Sequence, residues 1–285
     1  DGDGGFHQVF IGLGYKVFNN LSVGANFSYL YGDITHQSMT TIGATDTRSI
    51  KLDKFSISDY KLDFGLQYTY KLNKKNTINV GAVYTLGHTL HGDAYKYHQT
   101  GAESNGSIYV QSQTGDTIPN PFKMPHTFGI GLTYVYDNRL TIGVDYTLQK
   151  WNTADLAWSK FNKESVEMNS RTKIAFGAEF VPSYISHNYL KRIRYRMGAY
   201  YSSPYNKVSY TSPDTGTTSF QDGAREYGVS IGFGLPMFQS KSMLNISGQY
   251  IKVSPKFKGL MEENYLRINI GLTFNERWFM KWKVD

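Results

Sequence analysis

The sequence predicts an all-β chain folded as a transmembrane antiparallel β-barrel, and three observations carry that expectation. About eleven segments alternate apolar and polar residues with a period of two. Their connections alternate in length, short and polar on one side, long and rich in Ser, Thr, Gly and Asp on the other, as in outer-membrane barrels. The composition agrees: 285 residues carry 23 Tyr, 17 Phe and 28 Gly but only 8 Pro, and no run approaches the roughly 18 consecutive apolar residues of a membrane-spanning helix.

The elements follow in order. Val9, Ile11, Leu13, Tyr15 and Val17 alternate with Gly12, Gly14 and Lys16, and a turn at Asn19-Asn20 leads to Leu21, Val23, Ala25, Phe27, Tyr29 and Tyr31. Tyr60, Leu62, Phe64, Leu66, Tyr68 and Tyr70 form the third set, followed by the turn 73–76 and the segment 78–86. Segments 128–136 and 140–149 flank a turn at 137–139, and in the second Leu140, Ile142, Val144, Tyr146 and Leu148 form one unbroken apolar face. Segments 174–180 and 193–201 follow, with a turn expected at 187–191. Then come 227–235 and 244–250, with a turn expected at 239–241, and finally 266–274. With polar extensions, each reaches the roughly 9–11 residues that a tilted strand needs to cross a bilayer.

The second face tells what lies inside. Opposite the apolar residues stand Gly12, Gly14, Gly24, Gly65, Gly81, Gly131, Gly143, Gly177, Gly198 and Gly232, with Lys61, Asp63, Asp145, Glu179, Arg194, Arg196, Glu226 and Arg267. A soluble barrel turns its apolar face inward. Here the apolar face is broad, aromatic and continuous, so it faces lipid and the lumen is polar. The glycines serve either strand curvature or room for a plug or ligand. Tyrosines near the strand ends, Tyr15, Tyr68, Tyr70, Tyr134 and Tyr136 on the turn side and Tyr29, Tyr31, Tyr95, Tyr97 and Tyr201 on the loop side, mark two aromatic belts.

An odd number of strands is unexpected, because single-chain bacterial barrels normally have an even number. The first strand descends from the loop side, so the expectation is the C-terminal portion of a longer barrel. Residues 1–285 then form a single β-barrel domain, completed by a missing N-terminal segment or another chain.

Several stretches resemble the FadL-like long-chain fatty acid transporters of the outer membrane. GLGYKVFNNLSVGANFSYLYGDI (12–34) looks like that family's strand, short turn and strand ending in an aromatic-Gly pair. MPHTFGIGLTYVYDNRLTIGVDYTLQKW (124–151) is similar to its Pro-led strand, Asn/Arg turn and Asp-Tyr strand closing on Trp. YRMGAYYSSP (195–204) resembles its Arg-x-Gly-x-x-Tyr strand, and the ending FNERWFMKWKVD looks like versions from the Bacteroidota. The resemblance implies a 14-stranded barrel with an N-terminal hatch in its lumen, of which about 11 strands are present here. The hatch, with its Asn-Pro-Ala-type motif, and the early strand that opens a lateral exit have no counterpart in the sequence. The implied function is passive transport of long-chain fatty acids or other hydrophobic small molecules across the outer membrane of a Gram-negative bacterium.

Other chemistries fare less well. Cysteine is absent, and the net charge of +7 is spread along the chain, unlike a nucleic-acid-binding arm. His88-x-x-His91 would point to opposite faces if it lay on a strand, so no metal site and no cofactor are expected, although a loop could bring the rings together. No G-x-S-x-G elbow appears, and no enzyme is expected. Asn120-Pro121-Phe122 reads as a turn. Strand direction combined with parity puts Phe6, Phe10, Leu30, Trp151, Tyr200 and Ile251 in the outer half of the lumen, as a candidate site for an acyl chain. Arg171 and Lys173 are the candidate cations for its head group, with loop packing or contacts to lipopolysaccharide as their alternative roles. Two other functions remain open: a non-catalytic barrel carrier for type IX secretion cargo, and a general porin.

Overall fold

The computed structural model describes residues 1–42, 47–104, 107–153, 167–211, 218–237, 242–255 and 261–274. Its strands, in chain order, are β1 (Gly2–Lys16), β2 (Leu21–Ile42), β3 (Thr47–Lys71), β4 (Asn76–Thr85), β5 (Gly92–Ser104), β6 (Ser107–Pro119), β7 (Thr127–Tyr136), β8 (Leu140–Gln149), β9 (Arg171–Phe180), β10 (Arg194–Ser202), β11 (Lys207–Thr211), β12 (Thr218–Asp222), β13 (Ala224–Pro236), β14 (Met243–Pro255) and β15 (Glu263–Thr273). One antiparallel sheet holds 13 of them, in the order β1-β2-β3-β4-β7-β8-β9-β10-β13-β14-β15, with β5 and β6 added beside β3. Each segment expected from alternation falls on one strand of this path. β1 and β15 are its two edges.

The turn side is built by local chemistry. Between β7 and β8 the Arg139 N–H donates to the Tyr136 carbonyl at 2.8 Å, and Asp137 and Asn138 both take positive φ, 50° and 53°. That is a type I′ turn, whose twist matches the flanking strands and which Asn and Asp tolerate best after Gly. Asn73 closes the β3–β4 turn by accepting the Lys75 and Asn76 N–H groups, both at 2.9 Å. The link between β9 and β10 is longer than the sequence suggests. It runs over 181–193, with a 3₁₀ turn at Tyr189–Arg192 capped by Asn188, because Val181 and Ile193 are buried and anchor its two ends. The turn expected at 239–241 lies outside the described residues.

The register confirms the two faces. Cross-strand partners share a face, and the rows Gly14↔Gly24↔Gly65 and Gly143↔Gly177↔Gly198↔Ser230 run along the inner side. The opposite face is apolar and uncovered: Leu13 is 78% exposed, Ile231 64% and Ile268 68%. Few hydrophobic residues are buried, among them Ile57, Leu90, Ala94, Ile118, Val181, Ile193 and Ile251. A sheet that exposes its leucines and isoleucines in a continuous band is stable only against lipid.

Beyond the belt, β2 and β3 continue as a ladder from Leu21↔Tyr68 out to Ile42↔Thr47. The sequence reading ends the second strand at 31 and begins the third at 60. Past those points polar residues stand on both faces, so the continuous apolar alternation is lost while the hydrogen-bond ladder persists. Tyr95 and Tyr97 belong to this outer extension, on β5. The Tyr29–Tyr31 pair, with ring centroids 5.7 Å apart, and the Tyr201–Tyr227 pair, at 5.1 Å, mark the loop-side belt on the membrane strands themselves.

Candidate ligand cavity

β3 changes neighbours along its length. Asp63–Lys71 pairs with β4, and Thr47–Ile57 pairs with β5. Residues 86–91 cross the gap between β4 and β5, and residues 120–126 cross between β6 and β7. The two crossings pair with each other: the Leu90 N–H donates to the Phe122 carbonyl at 2.9 Å, the Met124 N–H donates to the His88 carbonyl at 2.7 Å, and Thr89 bridges Lys123. Gly87 permits the close approach, since a Cβ there would collide with the His126 backbone. Together they form a small flap at the outer end of the lumen.

Beneath the flap lies a cavity of about 740 Å³, within the usual size of small-molecule sites. Leu90, Phe122, Met124 and Pro125 come from the flap, Phe6, Leu30 and Ile57 from β1 to β3, and Trp151, Met168 and Tyr205 from the loops following β8 and β10. Phe122 packs on Phe55 with ring centroids 5.3 Å apart, and Trp151 packs on Tyr205 at 5.8 Å. The Trp151 indole N–H donates to Gln149 at 3.2 Å, so the polar edge of this large apolar side chain is satisfied.

Two lysines reach this apolar space, Lys61 and Lys123. Lys61 is paired with Asp63 at 2.6 Å, and Asp63 also accepts from the Thr85 hydroxyl at 2.6 Å. Lys123 donates to the Thr153 carbonyl at 3.1 Å and has no carboxylate partner among the described residues.

Of the residues picked out by parity, Phe6, Leu30 and Trp151 line this cavity. The other five do not. Phe10 stands exposed on the edge strand β1. Tyr200 donates to Glu226, with the Lys173 ammonium 4.6 Å from its ring centroid, and Ile251 is buried in the same register row as Tyr200 and Gly228. Arg171 donates to the Ser202 hydroxyl at 2.7 Å and lies 5.9 Å from the Tyr205 ring, so it adjoins the cavity through that tyrosine. Sequence reasoning placed Lys61 on the inner face without assigning it to the ligand site, missed Ile57, which shares that parity, and missed Leu90, Phe122, Met124, Met168 and Tyr205, which sit where no strand period exists.

His88 and His91 behave differently from two residues on a strand. Residues 86–91 form a crossing, and both rings turn to one oxygen of Asp59, His91 Nδ1 at 3.1 Å and His88 Nε2 at 3.3 Å. The His91 backbone N–H donates to the same oxygen at 2.7 Å. Asp59 lies just beyond the lipid-spanning part of β3. Burial pushes its carboxyl up, but the N–H groups of His91 and Tyr60, the His91 ring and nearby His88 outweigh that and hold it below the usual carboxylate range. No group of three metal-ligating side chains with metal geometry occurs among the described residues.

Lower in the lumen, Glu179 accepts from Arg194 at 3.1 Å and from Arg196 at 2.7 Å, and Arg196 also donates to Asn245 at 2.7 Å. These inward charges satisfy one another. A second recess, of about 570 Å³, is floored by Gly14, Gly24, Gly65, Gly81 and Gly131. A Cβ at Gly14 would meet nothing within 4 Å, and at Gly65 and Gly81 it would meet only backbone at 4.0 and 3.9 Å, so at these three positions the space beside the wall is open.

A family model described as BamG matches residues 1–285. No curated relative matches the chain. Among solved structures the fold is similar to that of the monoaromatic hydrocarbon channel CymD, at 14% identity and a TM-score of 0.55, over 87% of this chain and 69% of that one. It is also similar to the Ralstonia pickettii toluene transporter TbuX, at 13% identity and a TM-score of 0.57, over 95% and 67% of the two chains. A Pseudomonas aeruginosa FadL homologue matches at 12% identity and a TM-score of 0.52, over 90% and 61%. The chain thus spans about two thirds of the length of these structures. At such identities the likeness is one of fold, and at that level it agrees with the FadL-like resemblance. The fold and the outward apolar band place the chain in the outer membrane of a Gram-negative cell.

Proposed function

The chain belongs to the BamG family, and we propose that this member binds hydrophobic small molecules, long-chain fatty acids among them, and lets them pass through the outer membrane without a catalytic step. The observation that carries this reading is the cavity under the flap, where aromatic, aliphatic and methionine side chains meet Lys123. An acyl chain entering it from water gains about 0.8 kcal/mol per buried CH₂, and the ammonium offers a partner for a carboxylate. A general porin would line this level with polar side chains instead. The fold shared with a monoaromatic hydrocarbon channel and a toluene transporter is in keeping with the reading. The edges of β1 and β15, which no strand pairs among the described residues, are covered, on the same reading, by further strands of this protein or of a second chain, since bare edges of this length invite pairing.

Trp151 supplies the test. Titration of the purified protein in detergent with 9,10-dibromostearate should give saturable quenching of tryptophan fluorescence, and Trp151→Phe should remove the saturable part. Quenching that never saturates, or that survives in Trp151→Phe unchanged, would count against a ligand site here.

A further inference from the structure

We propose that Asp59, His88 and His91 form a proton-operated latch on the flap, holding residues 88–91 against β3 more tightly as the surroundings become acidic. The cluster is built rather than incidental. The Asp59 side chain is 3% exposed, and three groups of the crossing segment converge on its one oxygen: the His91 backbone N–H, the His91 ring and the His88 ring. His88 is enclosed, stacked on Tyr60 with ring centroids 4.5 Å apart and planes 8° from parallel, and neither of its ring nitrogens makes a hydrogen bond. An imidazolium in that position would face the Asp59 carboxylate 3.3 Å away and the Tyr60 ring stacked against it. Histidine is the side chain whose charge changes between about pH 5 and 8, the range an outer surface encounters.

The segment being held is the one that walls the cavity, since Leu90 lies between the two histidines and lines it. The other groups around the latch do not cancel its sign. On the inner face of β3, Lys61 is engaged by Asp63. On the second crossing, Lys123 bridges Thr89 and extends its ammonium to Thr153, away from Asp59. Asp93 on β5 is the register partner of Ser56 and so lies on the opposite face of the sheet from Asp59. His126 works in the opposite sense at the far end of the flap. Its Nδ1 accepts the Gly87 N–H at 3.2 Å and meets the Tyr84 hydroxyl at 2.8 Å, and a proton on that nitrogen would break the Gly87 bond. Acid should therefore tighten the flap at His91 and loosen it at Gly87, a pattern that neither general stabilisation nor general unfolding would produce.

Hydrogen exchange of the intact protein in detergent, corrected for intrinsic exchange at each pH, reads both ends at once. Between pH 8 and pH 5.5 the protection of the His91 amide should rise and that of Gly87 should fall, while Val80 on β4 stays level. The double variant His88→Gln with His91→Gln should lose the rise at His91 and keep the fall at Gly87. His91 protection that is flat with pH in the native protein, or a rise that persists in the double variant, would overturn the latch. The readout needs no ligand, so it stands or falls separately from fatty-acid binding.

Discussion

The Tyr200 ring lies across Gly228, its register partner on β13, so closely that a Cβ at Gly228 would collide with the ring. From that position the Tyr200 hydroxyl donates to Glu226, and the Lys173 ammonium sits 4.6 Å from the ring centroid. Glycine here is a requirement of packing in the lumen rather than of backbone conformation. Gly228→Ala should displace the ring, break the Glu226 bond and lower stability by about 1–3 kcal/mol, whereas Gly177→Ala, where an added Cβ meets nothing within 4 Å, should be near neutral. Equilibrium unfolding from lipid vesicles by denaturant checks both.

The two faces of the wall predict opposite tolerance to charge. Ile231 faces lipid near the middle of β13, and its neighbour Ser230 faces the lumen opposite Gly198. Lysine at Ile231 should cost about 2–4 kcal/mol, and lysine at Ser230 much less. Equal losses in vesicle unfolding titrations would contradict the assignment of faces.

The membrane part of the fold was legible because lipid imposes a rule on every second residue: Leu140 to Leu148 announces β8 and its orientation at once. The rule stops where lipid stops. Thr47 to Ile57 of β3 and the hairpin of β5 with β6 carry polar residues on both faces, and only their backbone ladder makes them strands. The cavity divides the same way. Phe6 and Leu30 follow from parity, whereas Phe122 enters because Asn120, with a φ of 51°, turns the chain inward after β6. The meeting of His88 and His91 on Asp59 depends on β3 exchanging β4 for β5 as its neighbour, a long-range event that no local pattern signals.

Asp59 makes the flap sensitive to strong acid as well. Its folded pKa lies below the ordinary value, so its contribution to holding the flap is fully present above about pH 4 and is lost as the pH falls through the lower folded value. Pepsin cleavage near Leu90 should therefore accelerate steeply at the most acidic end of the range in the native protein. In Asp59→Asn cleavage should be fast already at pH 4, with no further step. A native profile without such a step, measured against that variant at each pH, would remove Asp59 from the flap's anchoring.

The last prediction concerns the charge that meets a ligand. The cations in or near the outer lumen differ in their partners. Lys61 is neutralised by Asp63, Lys173 lies over Tyr200, and Arg171 is engaged by Ser202 and Tyr205. Among the described residues Lys123 has no carboxylate partner and donates to the Thr153 carbonyl at 3.1 Å, and it lines the cavity directly. A carboxylate head group would exchange that weak contact for a charge-assisted one. Lys123→Gln should weaken oleate binding by about tenfold, equivalent to about 1.4 kcal/mol, and leave oleyl alcohol unchanged. Arg171→Gln should have a smaller effect on oleate, because its guanidinium is separated from the cavity by the Tyr205 ring. Displacement of a fluorescent fatty acid from the purified protein measures all of these. An equal loss for oleate and oleyl alcohol in Lys123→Gln would show that the lysine supports the flap instead of meeting a carboxylate.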